Sequence, residues 1–154
     1  MKIRTKIIVV FISLITIAAC KKKENNLSKI PAIKFVFVTP EVKAGSSRDT
    51  VFIDFTFADG DANIQTDGTS ENIFISNTRD SLKFDQAMPN IPDAYKDPAI
   101  GFQGLCRVRI EASFLQITDT AATKDSLQFK IKLRDEAGNF SNEIITPVVY
   151  LLKP

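Results

Sequence analysis

The chain has 154 residues, of which 44% are hydrophobic and 25% charged, which suits one folded domain behind a leader and excludes wholesale disorder. Twelve Phe stand against no Trp and no His. Without imidazole the usual general base, the imidazole metal ligand and every Ser-His or Cys-His nucleophile pair are missing. Twenty basic residues against 18 acidic ones give +2 overall, with no basic stripe of the kind nucleic acid requires.

At the N-terminus Lys2, Arg4 and Lys6 precede 13 apolar or small residues, 7–19. This is the layout of a secretory leader, and it is too short for a membrane span, which needs about 20 apolar residues. The leader ends in Ile17-Ala18-Ala19-Cys20, which closely resembles the bacterial lipobox: an aliphatic residue, two small ones, then the cysteine. That resemblance implies cleavage before Cys20 and a diacylglycerol on its thiol, with a further acyl chain on the new amino terminus. At about 0.8 kcal/mol per buried methylene, two or more chains hold a soluble body at a bilayer where one would come and go. The alternative is an ordinary secreted protein with Cys20 in a disulfide. The only other cysteine is Cys106, too few thiols for a disulfide framework.

Removing the leader takes three basic residues and no acid, so 17 basic against 18 acidic residues leave −1. Lys21, Lys22 and Lys23 then sit beside the lipid, where each contributes about 1 kcal/mol against an anionic surface, or they act as a plain spacer. A polar lead-in ending at Pro31 follows. The expected organisation is 1–19 as a cleaved lipoprotein signal peptide, 20–31 as lipidated cysteine and tether, and 32–154 as a β-sandwich domain. Lys21 after the cysteine is compatible with transfer to the outer membrane and leaves the leaflet open.

From residue 33 the apolar period is two. Ile33, Phe35 and Phe37 alternate, then Val51, Ile53, Phe55 and Phe57, then Ile73 and Ile75. Cys106, Val108, Ile110, Ala112 and Phe114 fall on one face of a later run, opposite Arg107, Arg109 and Glu111, so Cys106 points inward. A buried thiol is a small hydrophobe rather than a nucleophile. Leu127, Phe129, Ile131 and Leu133 make the clearest half-buried strand, and the chain closes on 143–153, where Pro147 forces an edge position or a bulge. About seven strands and no sustained helical period indicate an all-β, antiparallel sandwich.

Two turns and one long loop carry the functional expectations. Asp59, Asp61, Asn63 and Asp67 set oxygens at positions 1, 3, 5 and 9, the spacing of a calcium loop. Position 6 is Ile64 instead of Gly and position 12 is Ser70, so it is not an EF-hand. The choice lies between Ca2+, with Asp135 joining from another loop, and solvated Asp-Gly turn chemistry. Residues 85–104 form a long loop with Met88, Ile91, Tyr95 and Phe102 as contact groups, either for a partner or to cover the end of the sandwich. Four Asp-Ser/Thr-apolar triplets at residues 49, 80, 119 and 125 resemble envelope O-glycosylation acceptors and equally read as turn exits.

The segment "RDEAGNFSNEIITP", 134–147, resembles the final hairpin of bacterial immunoglobulin-like and cadherin-like modules. With the lipobox and "FADGDANIQTD", the whole chain is similar to envelope lipoproteins of the Bacteroidota type, a resemblance that implies an immunoglobulin-like sandwich and no assigned activity. The favoured reading is a membrane-anchored, non-enzymatic binding or structural module contacting protein, glycan or cell wall through 59–70, 85–104 and 135–142. The alternative is a small hydrolase with Asp61 and Asp135 as acid and base.

Overall fold

The computed structural model describes residues 26–119 and 121–154. The expected signal peptide, the lipidation site Cys20 and the three lysines after it lie outside the described residues. Among the described residues ten strands form: β1 (Ala32–Val38), β2 (Glu41–Lys43), β3 (Thr50–Asp59), β4 (Glu71–Asn77), β5 (Gln86–Ala87), β6 (Phe102–Glu111), β7 (Lys124–Leu127), β8 (Phe129–Leu133), β9 (Ile144–Ile145) and β10 (Val149–Leu152). The chain is an all-β sandwich.

The ten strands are about seven runs interrupted three times. Pro40 separates β1 from β2, Gln128 alone separates β7 from β8, and residues 146–148 separate β9 from β10. One layer is β1-β3-β6 and fully antiparallel. The other consists of β5-β4-β8-β9 and β2-β10-β7, made continuous by the covalent β7–β8 and β9–β10 junctions. Among the described residues only β2 and β10 pair parallel.

The breaks have local causes. Pro147 has no N–H to give a ladder, and at that gap Thr146 takes over: its Oγ1 accepts from Phe129 N–H at 3.0 Å, and its carbonyl accepts from Gln128 Nε2 at 2.8 Å. The last run is therefore split at Pro147, and its first half, β9, takes the expected edge position. Its second half, β10, is central rather than an edge.

Alternation places the core as expected over most of the chain. Val51, Ile53, Phe55, Ile73, Ile75, Phe129, Ile131, Leu133, Val149 and Leu151 are all buried between the layers. Cys106 points inward beside Val108 and Ile110, and burial pushes its thiol up to about 12. Two phenylalanines depart from the pattern. An extra residue between Phe35 and Phe37 shifts the β1 register, so Phe37 lies opposite Asp54 on the outer face and Val38 takes the inward place. β6 ends at Glu111 and a 3-10 turn over Ala112–Phe114 follows, which swings Phe114 into solvent and Leu115 into the core. Gly45, at φ 67, closes that turn by donating its N–H toward the Ala112 and Leu115 carbonyls.

On the outer face of the first layer Asp54 faces Arg107 across β3 and β6. The guanidinium donates at 2.7 and 2.8 Å to the two carboxylate oxygens and stacks over Phe52. This fork holds Asp54 below the usual carboxylate range although Asp54 is buried.

Candidate functional site

Register alone brings the candidate loops together. Asp59 pairs with Phe102 and Ala32 with Ala58, while Ile73 pairs with Leu133. The end of β3, the starts of β1, β4 and β6, and the end of β8 therefore share one pole. The 59–70 segment, the 85–104 loop and the 135–142 hairpin all emerge there, as does the lead-in before β1.

Asn72 ties three of these segments. Fully buried, it accepts from Met88 N–H at 2.8 Å, donates its amide to the Gln65 carbonyl at 2.6 Å, and accepts from Arg134 N–H at 2.9 Å on its own carbonyl. Thr66 and Ile91 join the first two loops through Ile91 N–H to the Thr66 carbonyl, and Glu136 N–H reaches the Asn63 carbonyl at 3.1 Å. The lead-in closes over the same turn: Gly60 donates to the Ser28 carbonyl at 2.7 Å, and a Cβ at Gly60 would collide with the Leu27 and Ser28 carbonyl oxygens. That close approach is why glycine stands there.

The acidic turn is built on β3's alternation, which continues inward through Phe57 to a fully buried Asp59. A left-handed residue, Ala62 at φ 57, folds the chain back so that Asn63 N–H donates to Asp59 Oδ2 at 2.9 Å. Asp59 Oδ1, Asp61 Oδ1 and Asn63 Oδ1 are buried oxygens with no hydrogen-bond donor. Burial pushes Asp59 up to about 6; the Asn63 hydrogen bond opposes it next, and the nearby Asp61 and Asp135 carboxylates add to the rise. Asp135 is buried on the facing hairpin, where Asn139 donates its backbone and side-chain N–H to the two carboxylate oxygens at 2.7 and 2.8 Å. Gly138, at φ 87, makes that turn.

Asp67 is not part of this group. Its oxygens accept from Ser70 N–H and Thr69 N–H at 2.8 Å, from Ser70 Oγ at 2.7 Å and from Gln65 Nε2 at 2.9 Å, and these bonds hold it well below the usual carboxylate range. The reason is Ile64: fully buried, it pulls the chain into the core before position 9 is reached. Among the described residues no three His, Cys, Asp or Glu side chains stand as a ready-made metal cage. The buried oxygens of the turn that lack a donor are two carboxylate oxygens and one amide oxygen.

The four contact groups of the long loop divide. Met88 and Phe102 are buried core residues, with Phe102 against Phe57 at a ring separation of 5.0 Å, and Ile91 is half-buried against them. Tyr95, on the short 3-10 turn Asp93–Tyr95, is 71% exposed. Gln86 fastens the start of the loop to β6 by donating to the Arg109 carbonyl at 2.7 Å. The loop thereby runs along the free edge of β6 and leaves an open groove of about 370 Å³ lined by Met88, Ile91, Tyr95, Phe102 and Leu105. Leu105 is 62% exposed there, and Ile100, elsewhere on the loop, is 65% exposed.

In the Asp-Ser/Thr triplets, Asp49, Asp80, Asp119 and Asp125 each accept from a nearby backbone N–H, at Lys43, Leu82, Ala121 and Ser126 respectively. Thr120 lies outside the described residues. Sequence reasoning missed Asn72 and the approach of residues 27 and 28 to Gly60. Asn72 follows one acid in an ordinary strand and carries no signal, whereas the glycine between two aspartates was a cue to close packing. No protein-family model, curated protein or solved structure matches the chain.

Proposed function

We propose that the protein is a lipid-anchored envelope lipoprotein of the Bacteroidota type, held through Cys20 at the outer membrane, whose immunoglobulin-like sandwich is a non-enzymatic binding module. The observation that carries the binding role is the 85–104 loop: braced on β6 and on the 59–70 segment, it leaves Tyr95 and Leu105 in solvent around one groove, with Ile100 exposed on the same loop. Exposed aromatic and aliphatic groups on a fixed frame bind with little loss of side-chain freedom, which is how a small surface gains affinity. The partner is a protein, glycan or cell-wall component of the envelope.

A hydrolytic role for Asp61 and Asp135 has weaker support. Both Asp135 oxygens are engaged by Asn139, and the acids lie at a turn-built pole and not in the groove. Photo-crosslinkers placed at Tyr95, and separately at Ser46 on the opposite pole, in the full chain in intact cells test the reading. A discrete adduct from Tyr95 and none from Ser46 is expected. Equal labelling from both positions, or none from Tyr95, contradicts it.

A further inference from the structure

The turn at 59–63 holds three buried oxygens without donors and two carboxylates at close quarters, with a third on the facing hairpin. An unpaired buried oxygen costs about 1–3 kcal/mol, so such a group persists where something positive completes it. The ion pairs found among the described residues leave Asp59, Asp61 and Asp135 without a Lys or Arg partner. Water would satisfy one lone pair here, but it would leave the mutual repulsion of the carboxylates in place.

We propose that Asp59 Oδ1, Asp61 Oδ1 and Asn63 Oδ1, with the Asp135 carboxylate beside them, form a calcium site. The donor set is all oxygen, which suits a hard cation and not zinc or copper. It mixes carboxylate with amide on an irregular turn, and calcium tolerates irregular geometry and 6–8 ligands, whereas magnesium demands a near-ideal octahedron and keeps its waters. Asp135 replaces the ligand that Asp67 would give in a continuous loop, because buried Ile64 diverts the chain first. The ion joins the end of β3 to the 135–142 hairpin and sits at the turn over which the lead-in closes at Gly60. It therefore locks the pole where the tether arrives, whatever the nature of the anchor.

The full chain in detergent, stripped with chelator and dialysed against radioactive calcium, is expected to hold one ion at about 1 mM free metal or below. Saturating calcium is expected to raise the unfolding midpoint by about 5 °C or more, Asp61→Asn to lose that shift, and Asp67→Asn to keep it. No bound calcium at about 1 mM overturns the site, as does a shift that survives Asp61→Asn and vanishes in Asp67→Asn. Equal binding of magnesium overturns the choice of ion. If Asp61→Asn does not fold, the stoichiometry measured on the unaltered chain decides alone.

Discussion

Single residues decide how tightly neighbouring strands and loops of this sandwich are held. Asp54 and Arg107 form a bidentate pair with Asp54 buried and Arg107 in solvent. The carboxyl has its folded pKa lowered by the Arg107 hydrogen bonds, so its contribution is complete above the unfolded value of about 3.9 and is lost as pH falls through the folded one. Asp54→Asn is therefore expected to destabilise by about 1–2 kcal/mol at neutral pH. Denaturant titrations from pH 7 downward check this: the gap to the parent chain stays level to about pH 4 and narrows below it. Asn72 acts differently, through satisfaction of buried groups. Asn72→Ala leaves Met88 N–H and the Gln65 carbonyl without their partner, and a loss of about 3 kcal/mol is expected in the same titrations. A loss under about 0.5 kcal/mol would show that water replaces the amide.

At the scale of elements, the period-two runs made most of the sandwich legible, because a strand with one buried face writes its alternation into the chain. The 127–133 run keeps all four apolar residues inward even though Gln128 breaks its ladder. Phe37 and Phe114 were not legible in that way. An inserted residue at Val36 and a 3-10 turn after Glu111 change phase without changing composition. The pole was half legible: Asp59, Asp61, Asn63 and Asp135 were named from spacing and turn chemistry, while Asn72 depends on partners 7, 16 and 62 positions away that only folding brings near. The long loop separates into covering residues and presented ones, a distinction set by which side chains reach the β6 edge. Tyr95→Ala combined with Leu105→Ala is expected to change stability by less than about 0.5 kcal/mol, since both side chains are mostly in solvent. The same pair is expected to abolish the Tyr95-pole adducts read with a crosslinker at Ile100. Persistence of those adducts would place the contact elsewhere.

For the whole molecule, the fold puts loops and lead-in at one end. Ser28 already touches Gly60, so no described chain separates the loop pole from the direction of the tether. With Ser28 docked at Gly60, residues 21–27 fully extended would reach at most about 25 Å, which would keep the body close to its bilayer if the proposed lipid holds it. No helix among the described residues is long and apolar enough to cross a membrane. A single myristoyl-length chain binds only weakly and two hold stably, so the number of acyl groups on the proposed anchor would set whether the module stays in place.

Incorporation of radiolabelled palmitate, read together with cell fractionation of the parent chain and Cys20→Ser, tests the anchor most directly. The parent chain is expected to take up label and sediment with membranes, and Cys20→Ser to take up none and appear in the soluble fraction. An unlabelled parent chain, or a Cys20→Ser chain that still fractionates with membranes, contradicts lipid attachment and with it the placement of the binding module at the envelope.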